Sequence, residues 1–237
     1  MDLKDVLPAS GRIGRQAQTL RGRLRLPPHG RVILFCCGTD HLLEGCYSNF
    51  FRFVNEVVKC DFDAVSGLGF SIYYDRPPLE SFFNQKRNIW TYSVLDRAGI
   101  PSFPMVSWRY QEDIIRLGTW LSMNPRITLV GIDFQDAKGR QAWSYMLSGF
   151  RTLARAVPER VHFLVYGVAS YQRIYSLAQA SSRLHIVSEQ PFMKATKGVY
   201  PPHVDKDRQL SRRELHAVWQ IHQQRQVEAA IDAARNN

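Results

Sequence analysis

Short apolar runs alternate along this chain with longer stretches whose apolar residues recur every three or four positions, and this alternation restricts the fold more than any other feature. An apolar run of four to six residues bounded by turn formers reads as a buried strand, and a 3.6-residue stripe reads as an amphipathic helix. Successive strands separated by helices need crossover connections, so the strands must be parallel. Residues 32–37 open the series as a strand closed by Gly38 and Asp40, and Leu43, Cys46, Phe50, Phe53, Val54 and Val57 follow as a helix ending near Lys59. Residues 69–73, 103–108, 127–132, 161–166 and 184–187 are the next five expected strands. The stripe through Trp143, Met146, Leu147, Phe150, Leu153 and Val157 is the cleanest helical pattern between them.

Six strand–helix units predict one α/β domain, a parallel β/α barrel of complete or abbreviated TIM type, with an open doubly wound sheet as the alternative. The barrel is favoured because no glycine-rich nucleotide loop follows the first strand. The expected division is a basic N-terminal arm over 1–30, a β/α core over 31–190, and a basic loop with a C-terminal helix over 191–237. Ser211 and Glu214 match a capping box, which starts that last helix.

Charge points to the partner. Thirty-one Lys and Arg oppose 21 Asp and Glu, a net charge of +10, which favours an anionic macromolecule. Arg12, Arg15, Arg21, Arg23 and Arg25 make the arm a phosphate-binding candidate, as do Arg76, Arg109, Lys194 and Lys197 elsewhere. DNA is favoured over RNA, and no obligate protein partner is evident. Arg and Gly interrupt every apolar stretch of the arm, and no run of about 18 apolar residues follows, so a cytoplasmic, non-membrane protein is expected.

In either architecture ligands gather where parallel strands end. The acids at those ends, Asp133, Asp75, Asp40 and Glu189, are the catalytic candidates. Carboxylates there can activate water, attack an anomeric carbon or stabilise a sugar cation. Tyr73, Tyr74, Trp108 and Phe134 are candidate platforms for an unstacked base. A phosphate loop GxxxxGK[ST], a GxSxG elbow and an HExxH helix are all absent, which removes the main support for nucleotide hydrolysis, esterase chemistry and zincin proteolysis. Cys36, Cys37, Cys46 and Cys60 lack any CxxC spacing and read as buried reduced thiols, with no metal and no cofactor expected.

Gly69 to Tyr73, then Pro77 or Pro78, Asn88, Gly99, Ile100-Pro101 and Ser107-Trp108, resemble a domain-of-unknown-function family of phage and mobile-element proteins over residues 66–134. The resemblance adds Asn88 to the base-binding candidates. That family carries an Asp before the Phe of its first strand, where this chain has Gly69, so no acid role passes to this position. The layout is also similar to that of the tRNA-guanine transglycosylase and deazaguanine DNA-modification group, whose barrels cleave or exchange a base with strand-end aspartates. The cysteine-rich zinc motif of that group is missing here. These resemblances imply a zinc-free DNA glycosylase that removes a modified cytosine, such as a glucosylated hydroxymethylcytosine, and leaves an abasic site in phage defence. The alternatives are a non-catalytic nucleic-acid-binding factor of a mobile element and a metal-dependent nuclease using Asp40, Asp75, Asp133 and Glu189.

Overall fold

The computed structural model describes residues 30–73, 76–202 and 210–236. The expected alternation is present: β1 (Ile33–Leu34), α1 (Asp40–Ser48), α2 (Phe50–Val57), β2 (Ala64–Ser66), α3 (Pro78–Arg97), β3 (Ser102–Phe103), α4 (Gln111–Met123), β4 (Leu129–Asp133), α5 (Arg140–Ala156), β5 (His162–Tyr166), α6 (Tyr171–Ala178), β6 (Leu184–Val187), α7 (Gln190–Thr196) and α8 (Arg212–Arg235). The strands form two parallel three-stranded sheets, β1-β2-β3 and β4-β5-β6. Order in space follows order in sequence within each sheet, so neither contains the reversal that marks a doubly wound switch point. No closed barrel forms among the described residues.

The chain divides into two compact units, one running to Leu117 with Met123–Ile132, the other comprising Gly118–Ser122 and Asp133 onward. In the first, β1 pairs with β2 in the register Ile33 to Ala64, and β2 with β3 in the register Val65 to Ser102. Leu34, Val65, Phe50, Phe53, Leu68, Phe70 and Leu95 fill its core. In the second, Tyr166 lies opposite Val187 at the ends of β5 and β6. Phe150 meets Phe134 and Phe163 edge-on, with centroids 6.3 and 5.1 Å apart, beneath those strands.

Three expectations change. The second strand is residues 64–66 rather than 69–73. The 69–73 segment forms no regular strand, because the buried Asn88 amide takes up the backbone of Phe70 instead, accepting from its N–H at 2.9 Å and donating to its C=O at 3.2 Å. The helix expected through residue 59 breaks at Asn49, whose φ of −121° and ψ of 32° lie outside the helical region. The expected basic loop begins as helix α7, packed through Ala195 against Leu215 and Trp219 of α8. Among the described residues no helix is long and apolar enough to cross a membrane.

Candidate functional site

The strand-end candidates fall at two carboxyl edges, one in each unit. At the first, Asp40 opens α1 just beyond β1, and its Oδ2 accepts a 2.9 Å hydrogen bond from the Tyr73 hydroxyl. This joins two of the candidates across 33 residues of sequence. Arg109 closes the same region by donating from Nη1 to the Tyr73 carbonyl at 3.3 Å, the Arg76 carbonyl at 2.7 Å and Ser81 Oγ at 3.1 Å. Arg109 therefore braces the chain around residue 76, while the Arg76 side chain stays exposed. Tyr74 and Asp75 lie outside the described residues, as do Arg12, Arg15, Arg21, Arg23 and Arg25.

Other candidates at this edge have structural uses. Asn88 is buried, with its amide committed to Phe70. Trp108 is only 1% exposed and presents no accessible ring face for a base. Its indole Nε1 and the neighbouring Ser107 Oγ are buried without hydrogen-bond partners. Cys36, Cys37 and Cys46 are buried and take part in no disulfide. Burial first, and then proximity to Cys46, pushes Cys36 well above the ordinary thiol value, while burial pushes Cys46 up to about 12. The thiolate needed for metal ligation or nucleophilic attack is strongly disfavoured.

The second edge carries two of the candidate acids, and a cavity lies close to one of them in sequence, although neither acid lines it. Asp133 is the last residue of β4, and its Oδ1 accepts the Gln135 N–H at 2.7 Å, which fixes the carboxylate on the strand end. Phe134 points away into the core at 1% exposure, against Trp143 and Phe150, so it offers no base platform. On the next strand, the Tyr166 hydroxyl donates to Glu189 Oε1 at 2.6 Å. Asp133 ends β4 and Glu189 follows the end of β6 as the cap of α7, so both stand at the carboxyl edge of this sheet.

Ser188 and Pro191, which flank Glu189 in sequence, line a cavity of about 390 Å³ whose other wall is α8. Gln220, Gln223, Gln224, His216 and Glu228 supply its polar groups, and Ile186, Pro191 and Val227 its apolar surface. Gln223 donates to the Ala169 carbonyl at 3.3 Å, anchoring α8 to the segment after β5. Gln224 donates to Glu228 at 2.8 Å. Sequence reasoning missed these residues because they lie far from any strand end along the chain. Their signal was a polar, largely uncharged stripe at positions 216, 220, 223 and 224 of the last helix. Lys194 packs its ammonium 4.1 Å from the Trp219 ring centroid, and Lys197 is exposed.

Among the described residues no group of three or more His, Cys, Asp and Glu is placed to hold a metal ion. Compared with known proteins, the chain matches no protein-family model and no curated sequence.

Proposed function

We propose that this chain is a cytoplasmic nucleic-acid base-processing hydrolase, acting at the carboxyl edge of the β4-β5-β6 sheet, with its sequentially ordered strands belonging to an abbreviated β/α barrel. The observation that carries the reading is the 390 Å³ cavity beside the Tyr166-held Glu189, at the edge that also bears Asp133. Ligands of parallel α/β sheets bind at this edge, and the cavity is large enough for a flipped base. Its apolar wall suits a ring face, and its glutamine amides, which both donate and accept, suit a base edge.

The proposed reaction is hydrolysis of the N-glycosidic bond of a modified cytosine in DNA, as in phage defence. Asp133 orients the attacking water and stabilises positive charge on the sugar as the C–N bond breaks. The oxygen of water bonds to the anomeric carbon, and the base leaves with the C–N electron pair and a proton. Glu189, fixed by Tyr166, is the second acid flanking the bond. The basic arm and Lys197 hold phosphates.

Incubation with unmodified and glucosyl-hydroxymethylated DNA, followed by chromatography of released base and assay of alkali-labile sites, tests the reading. Wild-type protein is expected to release base, with Asp133→Asn and Glu189→Gln each slowing release by about 100-fold or more. Activity unchanged in both variants removes this edge from the mechanism. Strand cleavage that needs added Mg²⁺, or DNA binding with no product, replaces the hydrolase with a nuclease or a binding factor.

A further inference from the structure

One pair of side chains away from the carboxyl edges has the geometry of a ligand set. His162 begins β5 and His185 lies within β6, on neighbouring parallel strands in the register Leu164 to His185. Both are exposed. Their rings stack with an interplanar angle of 29° and centroids 5.3 Å apart, and His162 Nδ1 faces His185 Nε2 at 3.1 Å. Imidazole nitrogens bind Zn²⁺ at about 2.0–2.1 Å, so two of them on adjacent coordination positions of one ion stand roughly 2.9–3.4 Å apart. The observed spacing falls within that interval.

The surroundings agree with the geometry. Two strands of one sheet fix the backbones of both residues, so binding costs only side-chain rotation. Arg183, two residues before His185, is turned away: its guanidinium donates to the carbonyls of Pro158 at 2.6 Å and Ala154 at 2.8 Å and lies over the Phe163 ring. No described carboxylate or thiol joins the two rings in a larger ligand group. A bound ion would therefore complete its shell with water.

We propose that His162 and His185 form a solvent-open, two-histidine binding site for a borderline divalent transition-metal ion, with Cu²⁺ preferred over Ni²⁺ and Zn²⁺ and with no affinity for Mg²⁺. The preference follows from imidazole ligation and the usual order of divalent stabilities. In the free protein one ring N–H occupies the space between the nitrogens. On metal binding that proton passes through solvent to the far nitrogen of the same ring, and the two rings turn so that both freed lone pairs aim at an ion beside the line joining the nitrogens, with the net proton count unchanged.

Titration of Cu²⁺ into the untagged full-length chain at pH 7.5, read by calorimetry and by electron paramagnetic resonance, tests the site. The expected result is one ion bound per chain with a Kd in the micromolar range and nitrogen hyperfine structure from two imidazoles. His162→Ala and His185→Ala should each weaken binding at least tenfold, while His41→Ala leaves it unchanged. Circular dichroism of the three variants confirms that they are folded, which exposed positions permit. Equal affinity in wild type and the His162 and His185 variants, or no binding at 100-fold metal excess over a 10 μM protein solution (about 1 mM), overturns the proposal. Because the site lies apart from Asp133 and Glu189, its failure and that of the base-release assay are read separately.

Discussion

The backbone at Gly167 takes a φ of +84°, and a Cβ built there would lie 2.6 Å from the Gln135 amide nitrogen. Both facts demand glycine, because other residues are strained at positive φ and the clash is with backbone that cannot swing aside. The same Gln135 N–H fixes Asp133, so the turn after β5 is packed against the segment that orients a proposed catalytic acid. Gly167→Ala should destabilise the protein by about 1–3 kcal/mol in urea unfolding. Asp113 is a second residue whose role is local. It is 4% exposed, and its Oδ2 accepts the N–H groups of Arg109 at 2.8 Å and Tyr110 at 2.9 Å, with Arg116 on Oδ1. Burial by itself would raise its pKa, but those bonds and one from Gln85 outweigh burial and hold it below the ordinary carboxylate value. With the folded value below the unfolded one, Asp113 contributes stability that is fully present above about pH 4 and lost as pH falls through the folded value. Asp113→Asn should cost about 1–3 kcal/mol at pH 7. The gap between variant and wild type should shrink in denaturation curves taken at pH 3.

At the scale of elements, the instructive segment is 69–73. Its alternating apolar residues have strand character, yet Phe70 finds its backbone partner in the side chain of Asn88, 18 residues along the chain. The helix asparagine does there what a neighbouring strand would do. Asn88→Ala would leave two backbone groups of a residue only 3% exposed without partners. It should destabilise by at least about 2 kcal/mol and speed hydrogen exchange at the Phe70 amide. Arg87, one residue earlier on α3, reinforces the same join. Its guanidinium lies 3.6 Å from the Phe70 ring centroid and pairs with Glu44 of α1 at 2.7 Å. The start of α8 shows the opposite case, an element legible from four residues. Ser211 Oγ accepts the Glu214 N–H at 3.3 Å, while Glu214 Oε2 accepts the Ser211 N–H at 2.9 Å. The capping box was readable because both partners lie within one helical turn.

For the whole molecule, the net charge of +10 is the property most directly open to test against the proposed DNA substrate. Residues 1–30 carry six Lys and Arg, namely Lys4, Arg12, Arg15, Arg21, Arg23 and Arg25. If the arm grips phosphates as proposed, deleting it should weaken DNA binding regardless of sequence. It should also lower the slope of log K against log salt by up to about 5, at roughly 0.9 for each phosphate that is no longer neutralised. An unchanged slope in fluorescence-anisotropy titrations assigns phosphate binding elsewhere. The sequence by itself determined the alternation of parallel strands and helices, the edges on which Asp40, Asp133 and Glu189 stand, and the N-terminal cap of α8. These depend on periodicity and on bonds between near neighbours in the chain. Tertiary structure alone decided which groups meet: Tyr166 with Glu189 and His162 with His185, each across 23 residues, Asn88 with Phe70, and the glutamines of α8 with the end of β6. It also buried Trp108 and Phe134, two aromatics whose strand-end positions had suggested an exposed platform. Those outcomes depend on which distant partner satisfies a polar group and which space a side chain fills, and no local pattern encodes either.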